Sequence, residues 1–310
     1  MSVSQIRNTI SAKRSIGKQR FTKTDLTGLL YVAPMVLGIL IFSIYPMIDT
    51  FFLSLQQTNG ITGKWIGIAN YITVFENPVF WQSVYNTLYM GVLSIMIGLP
   101  LSFILATLIN NVGWGKSFFK GVYFIPNIVS VVAMSILFRF LLAPTKEGLL
   151  NGLLVGFGID PIGWFTNPAV AKISIVIMGM WGYIGYDSII FLAGMQSVSR
   201  ELYEASEIDG ASSIKKWWYI TIPSMKPIFI FMIIMSTIAC MKRFGDVFTI
   251  GTPTGNPAGS LLTVVLYIYR TAFTSGQVGI ASAVAYVLFV MVLLLSLLIF
   301  KAFDKDDSSQ

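Results

Sequence analysis

The sequence predicts an all-α polytopic membrane protein with six core transmembrane helices, and three observations predict it. Its 310 residues are 55% hydrophobic and only 11% charged, at a mean hydropathy of +0.74; a soluble domain carries far more charge. Apolar runs recur at about 28–54, 86–110, 117–142, 170–195, 227–250 and 279–301, each long enough to cross a hydrocarbon core of about 30 Å as a helix. Lysine and arginine gather in alternate connecting segments, the asymmetry that orients membrane helices. With a cytoplasmic N-terminus, that side also receives Lys116, Lys120, Arg200, Lys215, Lys216, Lys226, Lys301 and Lys305. The other side receives Lys64, Lys146 and Arg270, with Arg139, Lys172, Lys242 and Arg243 at or inside the membrane edge. Six spans put both termini in the cytoplasm, and the net charge of +7 is then a topology signal, not the footprint of nucleic acid.

The same composition excludes several chemistries. The chain has no histidine and a single cysteine, Cys240, inside an apolar run. That removes histidine acid-base catalysis, a disulfide framework and the common zinc sites. No catalytic residue and no metal site are expected.

Taken in order, residues 1–27 read as a basic cytoplasmic tail. The apolar run behind it is too long for a signal-peptide core and lacks a small-residue cleavage site, so the tail is expected to be retained. The transmembrane region covers 28–302, and 303–310 form a second cytoplasmic tail. Pro34 and Pro46 are expected to kink the first span, because an interior proline removes a backbone hydrogen bond. The exterior segment behind it is aromatic and amide-rich, with Trp65, Asn70, Tyr71, Asn77, Trp81 and Asn86-Thr87. Gly115-Lys116-Ser117 ends like a phosphate-binding loop, yet Asn110 stands where that motif needs glycine and the context is a helix-to-helix turn. The chain is therefore not expected to hydrolyse ATP itself. The segment 143–169 is glycine-rich and turn-prone, as is Gly251–Pro257, and both suit an exterior surface. Gly179, Gly182, Gly185, Ala281, Ser282 and Ala283 are read as places where helices approach closely.

The segment 196–226, between the fourth and fifth runs, is charged and compact. Ser199 can cap a short helix with Glu201 and Glu204 in its first turns, where carboxylates suit the helix dipole. Gly210 can end that helix in the left-handed conformation, and Ser212 or Ser213 can cap a second one that Pro223 stops. Leu202, Ala205 and Ile208 give the first helix a narrow apolar face. On periodicity alone this is an amphipathic hairpin lying in the headgroups. The order Glu204-Ala205, Asp209-Gly210-Ala211, Ile220-Thr221-Ile222-Pro223 resembles the "EAA" loop of permease subunits in binding-protein-dependent ATP-binding-cassette importers. Ser206 replaces the usual second alanine and Ile222 the frequent leucine. The exterior series from Trp65 to Thr87 resembles the sugar-uptake branch of that family, on the maltose-transporter side, so the likeness covers about 28–300.

The resemblance implies that Glu204, Ala205, Ser206, Asp209, Gly210 and Ala211 dock on a cytoplasmic ATPase. It implies a second permease subunit, two ATPase subunits that bind ATP and magnesium, and an extracytoplasmic substrate-binding protein, in a bacterial or archaeal inner membrane. The chain itself would hold no cofactor. Gly251–Pro257 departs from the family's usual turn at the binding-protein contact. By position, Trp181 to Tyr186 and Ser236 to Phe244 match the segments that hold cargo in maltose-type relatives.

Polar groups inside the spans independently mark where a path should lie, since an intramembrane charge usually faces a cavity or a partner. Those groups are Trp181, Tyr183, Tyr186 and Asp187 in the fourth span and Ser236, Lys242, Arg243 and Asp246 in the fifth. Aromatic rings with hydroxyls suit a sugar's C–H faces and hydroxyls. Lys242 and Arg243, if helical, lie about 100° apart. Either one of them enters the path and favours an acidic oligosaccharide, or both snorkel or are neutralised by Asp246, Asp187 or a partner. Arg139 reads as a gate, a pairing residue or an interfacial anchor. Two other classes stay in view. An ion-gradient carrier would use Asp187 or Asp246 as its coupling carboxylate and has no use for the Glu204 motif. A transferase for lipid-linked sugars would need clustered carboxylates, and Asp49, Asp187 and Asp246 are scattered.

Overall fold

The structure is a computed structural model and describes residues 23–304. The tail expected at 1–27 and the one at 303–310 fall largely outside those residues. The chain divides into two units, residues 1–52 and 53–310. The first unit holds α1 (Lys23–Ile39), a π turn at Leu40–Ile44, and most of α2 (Tyr45–Ser54). Pro34 lies inside the continuous α1, while the irregularity expected from Pro46 takes the form of that π turn. Tyr45 N–H reaches back to Leu40 O, just ahead of Pro46, which has no N–H to give.

The second unit begins with an antiparallel hairpin, β1 (Gln56–Thr58) and β2 (Gly63–Trp65), with Gln57 opposite Lys64. It continues through α3 (Ala69–Glu76), α4 (Pro78–Asn111), α5 (Lys116–Ile128), α6 (Val131–Leu141), α7 (Leu149–Gly156) and α8 (Pro168–Gln196). Then come α9 (Arg200–Ile208), α10 (Ser213–Lys216), a π turn at Trp217–Thr221, and α11 (Ile222–Ser224). The unit closes with α12 (Lys226–Met241), α13 (Gly245–Gly251), α14 (Val264–Tyr269), a π turn at Arg270–Thr274, and α15 (Val278–Asp304).

Among the described residues five helical stretches are long and apolar enough to span a membrane, and six if a bent pair counts as one. That pair is α5 and α6, which turn through 95° where one straight span was expected at 117–142. Averaged hydropathy hides the cause. Pro126 lacks the N–H that continues a helix, and Val129 and Ser130 then adopt extended ψ values of 133° and 135°.

Helix α8 is the central element, packed against α4 along much of its length and against α5, α6, α12 and α13. Its tightest approach is at Gly185, where a Cβ would overlap the Tyr123 carbonyl of α5. The expected role of Gly185 therefore holds, whereas Gly179 makes room for a side chain described below. Two apolar clusters fill the unit. Phe80, Met90, Ile175, Met178, Leu262 and Leu266 belong to one, and Phe103, Phe191, Leu192, Met195 and Met225, nearer the Glu204 segment, to the other.

The end opposite the Glu204 segment is held by buried asparagines. Asn70 donates to Ser54 O and Gln56 O, both at 2.8 Å. Asn86 donates to Gly259 O at 2.9 Å and Leu262 O at 3.1 Å. Asn151 donates to Ala143 O and Ile162 O, and its Oδ1 accepts from Ile162 N and Trp164 Nε1. Each satisfies backbone groups that a loop would otherwise bury unpaired.

Candidate functional site

The Glu204 segment folds as its residues dictate. Ser199 Oγ accepts from Glu201 N at 3.3 Å and starts α9. Gly210 ends it at φ +69°, where L side chains are strained. Gly210 N bonds to Glu207 O and Ala211 N to Ser206 O, which satisfies the last carbonyls. Ser212 Oγ caps α10 by accepting from Lys215 N. Pro223 does not stop the second helix as expected. The π turn at Trp217–Thr221 lets Ile222 N–H reach Trp217 O, and the coil runs through Pro223 to Ser224.

Glu204, Ala205, Asp209 and Gly210 are exposed on this hairpin, and Ser206 and Ala211 half-buried. Leu202 and Ile208, 49% and 88% exposed, leave the apolar face of α9 uncovered. Charge braces the hairpin: Arg200 pairs with Glu204 at 2.9 Å and Lys216 with Glu207 at 2.8 Å. The hydrogen bond and charge of Lys216 hold the Glu207 carboxyl below its ordinary value.

Sequence reading missed how this hairpin grips the bundle. Tyr203 Oη and Thr221 Oγ1 are 2.8 Å apart and tie its two arms. Trp217 Nε1 donates to Thr107 Oγ1 of α4 at 3.1 Å. The Trp217 ring stacks on Phe103 at 5.4 Å, and Phe103 in turn meets Phe191 of α8 and Phe229 of α12. No local signal marks a pair of residues so far apart in the chain; the consecutive tryptophans Trp217 and Trp218 were the available cue.

Within the bundle two cavities lie between α8 and α12. One, of 260 Å³, is lined by Tyr183, Tyr186, Asp187 and Ser236, with Ser94 from α4. The other, of 310 Å³, is lined by Tyr183, Arg243 and Asp246, with Asn127, Gly179 and Gly182. Six of the eight expected path residues thus meet in two places. Trp181 lines neither and packs against Phe138 at 5.7 Å. Lys242, exposed, lines neither as well.

Lys242 and Arg243 are not neighbours on a helix as expected. Helix α12 ends at Met241, and both residues lie in the non-helical break before α13. Arg243 Nε lies 3.4 Å from Asp246 Oδ2, with both side chains about one-tenth exposed, at 9% and 11%. Thr263 Oγ1 fixes the Arg243 carbonyl at 2.9 Å. The guanidinium lies along Gly179, where a Cβ would sit 2.7 Å from Nη2. Nη1 is buried without a hydrogen-bond partner among the described residues. Arg243 thus lines the cavity and lies beside Asp246. Arg139 is a pairing residue: its Nη2 donates to Ile250 O at 3.3 Å, at the end of α13.

The family model for "binding-protein-dependent transport system inner membrane component" matches residues 98–305, two-thirds of the chain and both of these features. The chain belongs to that family of permeases. Among its relatives, the lactose transport permease of Rhizobium radiobacter is 38% identical over 282 residues, covering 90% of this chain and 94% of that one. The arabinooligosaccharides transport permease of Bacillus subtilis is 30% identical over 292 residues, covering 94% and 93%. Among solved structures, a chain of a bacterial alginate ABC transporter, crystallised with its alginate pentasaccharide-bound periplasmic protein, superposes with a TM-score of 0.78. It is 25% identical and covers 89% of this chain and 93% of that one. The permease is thus an integral component of a binding-protein-dependent ABC importer in the inner membrane. It is a transport subunit, not an enzyme, in agreement with the expected architecture and against an ion-gradient carrier.

Proposed function

We propose that the permease forms half of the translocation channel of an ATP-driven importer for a sugar or oligosaccharide, with both termini in the cytoplasm. The observation that carries this is the pairing of an uncovered α9 face, bounded by Glu204 and Gly210, with a polar-aromatic path at Tyr183, Tyr186, Asp187, Ser236, Arg243 and Asp246. A second permease chain would complete the channel. Two ATPase subunits would bind ATP and magnesium and dock on Glu204, Ala205, Ser206, Asp209, Gly210 and Ala211. A substrate-binding protein would deliver cargo at the asparagine-braced end. ATPase closure moves α9, and the Trp217 contact passes that motion to α4 and α8, exposing the path alternately to each side.

The cargo class follows from chemistry. Phenols and a serine offer hydroxyl-matching groups beside apolar ring faces. Relatives of this chain carry lactose and arabinooligosaccharides by name. Because Asp246 balances Arg243, the path carries no large excess of positive charge. A second reading, an acidic oligosaccharide, is favoured by the unpartnered Arg243 Nη1 and by the likeness to the alginate transporter.

The test is ATP hydrolysis by the purified complex in lipid nanodiscs with its binding protein, comparing neutral with acidic oligosaccharides. Stimulation by neutral sugars supports the main reading, and stimulation by acidic ones alone selects the second. If no ATPase co-purifies and no sugar stimulates hydrolysis, the proposal fails.

A further inference from the structure

The two cavities between α8 and α12 share part of their walls: Tyr183, Ala239 and Cys240 line both. Their order along each helix is consistent. On α8, Gly179 and Gly182 face one cavity and Asp187 the other, with Tyr183 between. On α12 and its following break, Ser236 faces the Asp187 cavity and Arg243 its neighbour, with Ala239 and Cys240 between. The cavities are therefore successive along the membrane-crossing direction. Ala239 and Cys240 are small, so the large group in the shared wall is the Tyr183 phenol.

That ring is seated on glycine. At Gly98 of α4 a Cβ would stand 3.2 Å from Tyr183 Cε2 and 3.3 Å from its hydroxyl, and at Gly179 a Cβ would be 3.5 Å from Cε1. The hydroxyl is buried without a well-formed hydrogen bond among the described residues. The Ser94 hydroxyl is its polar neighbour in the same cavity, but neither hydroxyl has a partner at good geometry among the described residues. Packing therefore holds the ring more than hydrogen bonding does, and a poorly satisfied buried hydroxyl is a poor resting state. A sugar hydroxyl entering either cavity can offer the missing partner.

We propose that Tyr183 is the barrier of this half-channel: its ring closes the passage between the Arg243 cavity and the Asp187 cavity, and cargo hydroxyls compete it away from the Gly98 seat. The proposal rests on the permease reading above, and places the seal at one side chain of that path.

The test uses the assembled complex with its binding protein in membrane vesicles. Cys240→Ala removes the native thiol, and Ser236→Cys, on the Asp187 side alone, serves as reporter. A membrane-impermeant methanethiosulfonate is added from the Arg243 side without ATP, and the mass of this chain is read over time. Spontaneously open minor states amount to roughly 0.1–10% of a population, so removing the barrier should speed labelling at least about tenfold. Tyr183→Ala should show that gain, and Tyr183→Phe, which keeps the ring, should not. Gly98→Ala crowds the ring, whose Cε2 and hydroxyl must give by a few tenths of an ångström, and should raise labelling in the same direction. It carries the test if Tyr183→Ala fails to assemble. Equal labelling with tyrosine and alanine at 183, or no change in Gly98→Ala where alanine at 183 cannot be read, overturns the proposal. Absence of ATP-dependent uptake with Tyr183 intact would instead sink the permease reading, whatever the labelling shows.

Discussion

If α9 is the ATPase-docking surface, as proposed, Trp217 is the place where coupling can be cut without touching that surface. Its indole N–H bond to Thr107 is worth about 1 kcal/mol net, and its stack on Phe103 about 0.5–1.5 kcal/mol beyond area burial. Trp217→Phe deletes the hydrogen bond and keeps much of the stack, a loss of about 1–1.5 kcal/mol, so the link should loosen about five- to tenfold. Trp217→Ala deletes both, about 2–3 kcal/mol, for a further order of magnitude. The assay is cargo moved per ATP hydrolysed by the complex in proteoliposomes. That ratio should fall in the order wild type, phenylalanine, alanine, while basal hydrolysis persists. Thr107→Val should match Trp217→Phe, and the double variant should be no worse than either, because both remove one bond. An unchanged ratio in Trp217→Ala would refute the idea that this ring carries motion from the hairpin to the bundle.

Gly185→Ala should lower the thermal midpoint of the purified complex, or prevent assembly, since its Cβ meets the Tyr123 backbone; overpacking of that kind costs about 1–3 kcal/mol or more. Gly182→Ala meets only the flexible Met134 side chain, at 3.2 Å, and should melt nearly as the wild type does. Gly210→Val, at φ +69°, and Glu204→Lys should both leave the chain inserted in the membrane but abolish ATPase co-purification or coupling; normal transport by both would remove the docking assignment. Glu207 is held below the ordinary carboxylate value of 4.5 by Lys216. Its contribution to hairpin stability is therefore complete above that pH and lost as pH falls through the depressed value. Hydrogen exchange over residues 207–216 should rise only in that acid window, and Glu207→Gln should remove the pH dependence.

The parts of this architecture governed by local chemistry were legible in the sequence. Ser199, Gly210 and Ser212 shape the hairpin through caps and a left-handed turn that need nothing beyond their neighbours. Five apolar runs became spanning helices for the same reason. What escaped depends on breaks and on distant partners. Hydropathy reads 117–142 as one span because averaging hides Pro126 and the two extended residues behind it. Lys242 and Arg243 look helical in an apolar context, but the end of α12 at Met241 sends one outward and turns the other onto Gly179 and Asp246. Gly182 packs against Met134 as its sequence position predicts, whereas Gly179 leaves the space that the Arg243 guanidinium fills. The Trp217–Thr107 contact joins segments 110 positions apart, and single-sequence periodicity carries no such information.

Asn70, Asn86 and Asn151 give the end of this permease opposite the Glu204 segment, outward in the proposed orientation, a particular constancy. An amide neither gains nor loses a proton over the biological range, and dissolved ions do not screen it as they screen a surface ion pair. The medium outside an inner membrane follows the surroundings in acidity and salinity, while the cytoplasm does not. If this end receives the delivery protein, as proposed, a platform built on charge would change shape with the weather, whereas one clamped by neutral amides would present the same contour in brackish, dilute, acid or alkaline water.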